Sequence, residues 1–99
     1  MSRIVAEGEL DRADCPRLRA ELRRAAGRLD LDLLRVGFID SSCAKLLSDE
    51  TEKLRSEGCR MHVKASPQVL RTLEMLARAG LKSSRELLTD LKTLRMALA

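Results

Sequence analysis

The residues with the most chemical potential are consecutive: Asp40, Ser41, Ser42 and Cys43. They follow the apolar pair Phe38-Ile39 and lead into a segment of helical content from Ala44 to Glu57. A strand that turns tightly into a helix leaves unpaired N–H groups and the positive end of the helix dipole at the junction. In open α/β sheets, function gathers at the carboxyl ends of the strands. A hydrolytic serine would need glycines two residues to either side and a histidine base. Neither Ser41 nor Ser42 has those glycines, and His62 is the sole histidine. A phosphate-cradling loop would need a Gly-rich run ending in Gly-Lys-Ser, which the sequence lacks. A phosphorylated serine needs less. The phosphoryl group adds about −1.5 to −2 charges, and a helix N-terminus tolerates an anion or favours it by about 0.3–1 kcal/mol. Such a modification leaves the fold intact and is felt by a partner docked there. Plain helix capping is the alternative that the local sequence leaves open.

Metal chemistry finds little support. Cys15, Cys43 and Cys59 are too far apart in sequence for a zinc pattern, and their number is odd. They read as small buried hydrophobes or free thiols of a reducing compartment. Cys43 stands at a helix start, where a thiol pKa can fall, so a thiol-dependent sensor is one reading and a packing thiol the other. No metal and no cofactor are expected.

The elements that must position Ser42 follow from length and periodicity. Ninety-nine residues make one domain, and 44% hydrophobic with 34% charged residues is a globular balance. No apolar run approaches the length of a membrane span, which points to a cytoplasmic protein without direct membrane insertion. A net charge of +4, with signs interspersed, and a single aromatic residue argue against nucleic-acid binding. Arg17, Arg19, Arg23, Arg24 and Arg28 read as the solvated side of a helix whose other side carries Leu18, Leu22 and Ala25.

Ile4–Leu10 reads as a strand, and Pro16 suits the first turn of the next helix. Leu29, Leu31 and Leu33 alternate with Asp30 and Asp32, the pattern of a half-buried strand, and Leu34 to Gly37 breaks that alternation. Cys43, Leu47 and Leu54 form a helical stripe on which Glu50 intrudes, and Asp49 and Lys53 form a favourable pair four apart. Arg60–Lys64 is a short strand with His62 on the surface side. Ser66-Pro67 opens a helix carrying Val69, Leu70, Leu73, Leu76 and Ala77. Leu87, Leu91, Leu94 and Leu98 suit a helix, while a strand at Leu87-Leu88 followed by a helix fits as well. Strands alternating with helices imply crossovers and a largely parallel sheet.

The segments Gly8-Glu9-Leu10-Asp11, Leu31-Asp32-Leu33 and Val36 to Ser42 resemble the STAS domain of anti-sigma factor antagonists. Gly58, Ser66-Pro67-Gln68-Val69, Leu73-Glu74 and the closing Leu88 to Leu98 continue the likeness in order. The resemblance implies an α/β fold: a single small STAS-like domain over residues 1–99, with a short mixed, largely parallel sheet of three to four strands and helices mainly on one face. It implies a binding module with no enzyme activity, in which Ser42 is the phosphoacceptor. An anti-sigma factor serine kinase and a phosphatase would be the partners, meeting Asp11, Asp40, Ser41, Ser42, Cys43 and Lys45. STAS domains also resemble subunits of lipid-transport ABC complexes, where the same turn docks on a permease without a phosphorylation cycle. Family members carry a strand before the first one found here. Its absence leaves a bare edge, so Ile4–Leu10 is expected to pair in a homodimer or to be covered by the tail.

Overall fold

In the computed structural model the described residues are 2–98, and the side chains of residues 90 and 92–98 lie outside the description. Three strands, β1 (Ser2–Leu10), β2 (Arg28–Ile39) and β3 (Arg60–Ala65), alternate with α1 (Cys15–Arg23), α2 (Ser41–Ser56) and α3 (Pro67–Arg78). A 3₁₀ turn at Arg12–Asp14 precedes α1, and α4 (Lys82–Leu98) closes the chain. The sheet order is β1-β2-β3 and both pairings are parallel. The antiparallel strand allowed by a mixed sheet is not among the described residues.

One face of the sheet carries the core. Ile4 and Leu10 of β1 and Leu29, Leu31 and Leu33 of β2 are buried there with Leu18, Leu22, Leu47, Val69, Leu73 and Leu87 of the helices. The other face is charged: Arg3, Glu7, Glu9 and Arg35 surround the exposed Val5 and Phe38.

β2 breaks its alternation for a reason found in its partner. Val5 lies opposite Asp32 but Glu7 opposite Arg35, and Gly8 lies opposite Val36 but Glu9 opposite Phe38. Each irregularity puts one extra residue into β2, and each extra residue switches which side chain meets the core. The buried positions therefore pass from Leu33 to Val36 and then to Ile39. Gly8, at φ +81°, supplies the left-handed backbone between the two irregularities. Together they bring the ends of β1 and β2 level, and the Asp40 N–H donates to the Leu10 carbonyl at 2.8 Å.

The core tolerates its polar members because each has a partner. Buried Ser48 and Thr51 donate to the carbonyls of Ala44 and Leu47, and the Ser48 and Ser84 hydroxyls meet at 2.7 Å between α2 and α4. Glu50 lies 3.4 Å from Arg23 of α1, which explains a carboxylate beside an apolar stripe. Asp49 bonds Lys45 at 3.0 Å and accepts the Ser83 hydroxyl, so the carboxylate takes these partners instead of the expected Lys53. His62 is half-exposed, with Nδ1 3.7 Å from Asp30.

The tail is helical from Lys82 onward, which removes the alternative strand at Leu87-Leu88. Leu87 and Leu91 are buried, whereas the stripe positions Leu94 and Leu98 lie outside the described side chains. α4 packs on α2 and α3, so among the described residues the tail does not cover β1, contrary to one expectation. The described leucines of α4, Leu87, Leu88 and Leu91, join the same core as the other helices.

Candidate functional site

Two chain segments meet at the carboxyl end of the sheet. The first is Leu10–Cys15, which leaves β1 and enters α1. Asp11 and Asp14 fasten it locally: the Ala13 N–H donates to Asp11 Oδ1 and the Asp11 N–H to Asp14 Oδ2, each at 2.9 Å. This reciprocal pair satisfies donors that a short turn would otherwise leave open. The second segment is Ile39–Cys43, which leaves β2 and enters α2.

Asp40 caps α2. Its backbone is extended, at φ −65° and ψ 147°, and its carboxylate accepts the Ser42 N–H at 2.9 Å. The same carboxylate oxygen accepts the Ser42 hydroxyl proton. These two bonds, the hydroxyl first, hold the Asp40 carboxyl below its ordinary value, and the Arg12 guanidinium adds to the effect. Asp40 is therefore a carboxylate throughout the neutral range. Helix α2 begins at Ser41, two residues before the apolar stripe that starts at Cys43, because Asp40 supplies the cap.

Ser41 is exposed and Ser42 half-buried. Besides Asp40, Ser42 Oγ has the Cys15 sulfur 3.8 Å away, a neighbour from the other segment. Lys45 is exposed one turn along, and its ammonium turns to Asp49. The salt bridge draws it along the helix.

Cys43 lies beneath this surface. It is fully buried, and its thiol donates to the Asp11 carbonyl at 2.9 Å, which ties the two segments together. Burial pushes this thiol up to about 12, and the nearby Cys15 thiol and the charges of Asp40 and Asp14 push the same way. The expectation that Cys43 meets a partner is thus corrected: its side chain supports the site from below. Burial and these neighbours disfavour the reactive thiolate that a sensor would use.

Of the residues singled out in sequence, the structure gathers Asp11, Asp40, Ser41, Ser42 and Cys43 at one junction and sets Lys45 at its margin. It adds Arg12, Asp14 and Cys15, which sequence reasoning missed. The signal for them was their position directly after Gly8-Glu9-Leu10-Asp11, since parallel pairing of β1 with β2 carries that segment to Asp40. Among the described residues no group of three His, Cys, Asp or Glu side chains is placed to hold a metal ion. The junction can present a hydroxyl and a carboxylate to a visiting surface.

Comparison with known proteins gives a consistent answer. A family model described as "Mlab, STAS domain" matches residues 1–90. Among solved structures, that of the anti-sigma factor antagonist SpoIIAA in its unphosphorylated form is similar, with a TM-score of 0.56 and 22% sequence identity. The match covers 76% of this chain and 69% of that one, a likeness of fold. No curated protein matches the chain.

Proposed function

Because the chain belongs to the STAS domain family, we propose that it is a regulatory binding module of the anti-sigma factor antagonist kind. In this reading the Asp40–Ser42 junction docks on a serine-kinase anti-sigma factor in the cytoplasm. Phosphorylation of Ser42 ends the docking, and a phosphatase restores it. The chain is a ligand and a protein substrate, with no reaction of its own. No described helix is long and apolar enough to cross a membrane.

One observation carries the proposal: the residue that caps α2 is Asp40, so the Ser42 hydroxyl is not needed for the cap. A phosphoryl group on Ser42 keeps the Asp40 bond to the Ser42 N–H available. The dipole of α2 favours the new anion by about 0.3–1 kcal/mol, while the adjacent Asp40 carboxylate repels it. These opposing terms leave the fold standing. They also drive the phosphate away from Asp40 and out onto the surface, where a partner shaped for the bare hydroxyl meets bulk and charge. The test is binding of the native chain, Ser42→Ala and Ser42→Glu to a co-encoded serine-kinase anti-sigma factor. Native and Ser42→Ala chains are expected to bind and Ser42→Glu to lose at least tenfold in affinity, about 1.4 kcal/mol. Equal binding by all three contradicts the proposal.

A second reading keeps the docking and drops the phosphate: a STAS subunit that seats this junction on the permease of a lipid-transport ABC complex. It is favoured by the commitment of the Ser42 hydroxyl to Asp40, which gives the junction a fixed shape without modification. Co-purification with a permease, undisturbed by Ser42→Glu, selects this reading.

A further inference from the structure

β1 is nine residues long, and among the described residues only β2 pairs with it. Its outer edge faces open space. The cleft along Ser2, Arg3, Ile4 and Val5 is bordered by Glu21 of α1 and Arg24 just after it. An edge strand of this length without proline is a template for another strand. Val5 is 55% exposed on the side away from the core, and Arg3 and Glu7 flank it two residues to either side on the same side.

We propose that this edge pairs with the same edge of a second copy, antiparallel about a two-fold axis at Val5. An isologous contact requires a self-complementary patch. In this register Arg3 faces Glu7 of the second copy on both sides of the axis, Ile4 faces Ala6 on the core side, and Val5 faces Val5. Directly opposed pairs of opposite charge and of β-branched residues are the favourable ones. Moving the axis to Ala6 sets each Val5 against a Glu7 carboxylate, and moving it to Glu7 opposes two like charges. Only the register centred on Val5 satisfies both the charges and the apolar side chain. Glu7 is free to take part, since its contact with Arg35 is 3.9 Å long and both side chains are largely exposed. The product is a continuous six-stranded sheet with both helical layers on one face. The two Asp40–Ser42 junctions stay clear of the new contact, at the far ends of the paired strands.

The experiment is sedimentation equilibrium of the native chain at micromolar concentration, with charge variants. The native chain is expected at twice its 11.1 kDa mass. Arg3→Glu is expected to return it to single mass, and adding Glu7→Arg to Arg3→Glu is expected to restore the dimer. Amide exchange read residue by residue on the native chain serves if a variant does not fold, and protection of β1 amides is expected to rise with concentration. A native chain that stays monomeric, a dimer that survives Arg3→Glu, a double variant that stays monomeric, or β1 exchange indifferent to concentration overturns the proposal.

Discussion

Two serines stand at the N-termini of neighbouring helices and do opposite things. Ser66 precedes α3 and is 3% exposed. Its oxygen accepts the Val69 N–H at 3.3 Å, and its hydroxyl donates to the Val36 carbonyl at 2.6 Å. Ser42 sits one residue inside α2, half-exposed, with its hydroxyl on the surface carboxylate of Asp40. The hydroxyl of Ser66 is structural because it caps its helix and satisfies a buried carbonyl. The hydroxyl of Ser42 is spared because a neighbouring aspartate does the capping. A serine near a helix start is thus open to modification when another residue satisfies the helix.

The sharpest contrast lies between Ser42 and the residue after it. Burial raises the Cys43 thiol to about 12 and keeps it protonated at neutral pH. Cys43 should resist alkylation in the folded chain and react fully in denaturant, as read by mass spectrometry of thiol-labelled peptides. Rapid native labelling of Cys43 would place the surface one residue deeper than the structure does.

On stability the largest effect is expected from Ser66→Ala. It removes a cap and leaves the Val36 carbonyl without its donor, at a cost of about 2–4 kcal/mol in denaturant unfolding. Asp40→Ala should cost less, because the lost cap is solvated. It should also change the acid limb. The folded-state pKa of Asp40 lies below its ordinary value of 3.8, so its stabilising contribution is complete above 3.8 and disappears as pH falls through the lower folded value. Asp40→Asn should flatten that part of the profile of unfolding midpoint against pH. The smallest effect is expected from Ser42→Ala, within about 0.5 kcal/mol of the native chain. A Ser42→Ala loss as large as that of Ser66→Ala would erase the distinction.

The sequence revealed these two serines unequally. Ser66-Pro67 announces a capped helix, because proline at the first turn and a hydroxyl before it have one common use. Leu29, Leu31 and Leu33 announce their strand by period two. The later half of β2 was illegible because its burial depends on register with β1. Two extra residues shift Val36 and Ile39 onto the core face, and no local pattern encodes a partner's spacing. The neighbourhood of Ser42 was legible in part. Asp40 and the serines stood out by type, and the helical stripe already placed Cys43 among buried leucines. Cys15 and Arg12 were hidden, since only the parallel pairing of Leu10 with Ile39 brings them near. The fate of Lys45 was hidden as well, because its pull toward Asp49 depends on which of two lysines that carboxylate takes.

A switch at this junction requires that the Ser42 hydroxyl be modified without cost to the fold. Incubation with a co-encoded serine kinase and ATP, followed by peptide mapping and a denaturant titration of the product, tests this directly. One phosphate on Ser42, none on Ser41, and an unfolding midpoint close to that of the unmodified chain is the predicted result. Phosphate confined to Ser41, no incorporation at all, or a product that unfolds early would contradict it.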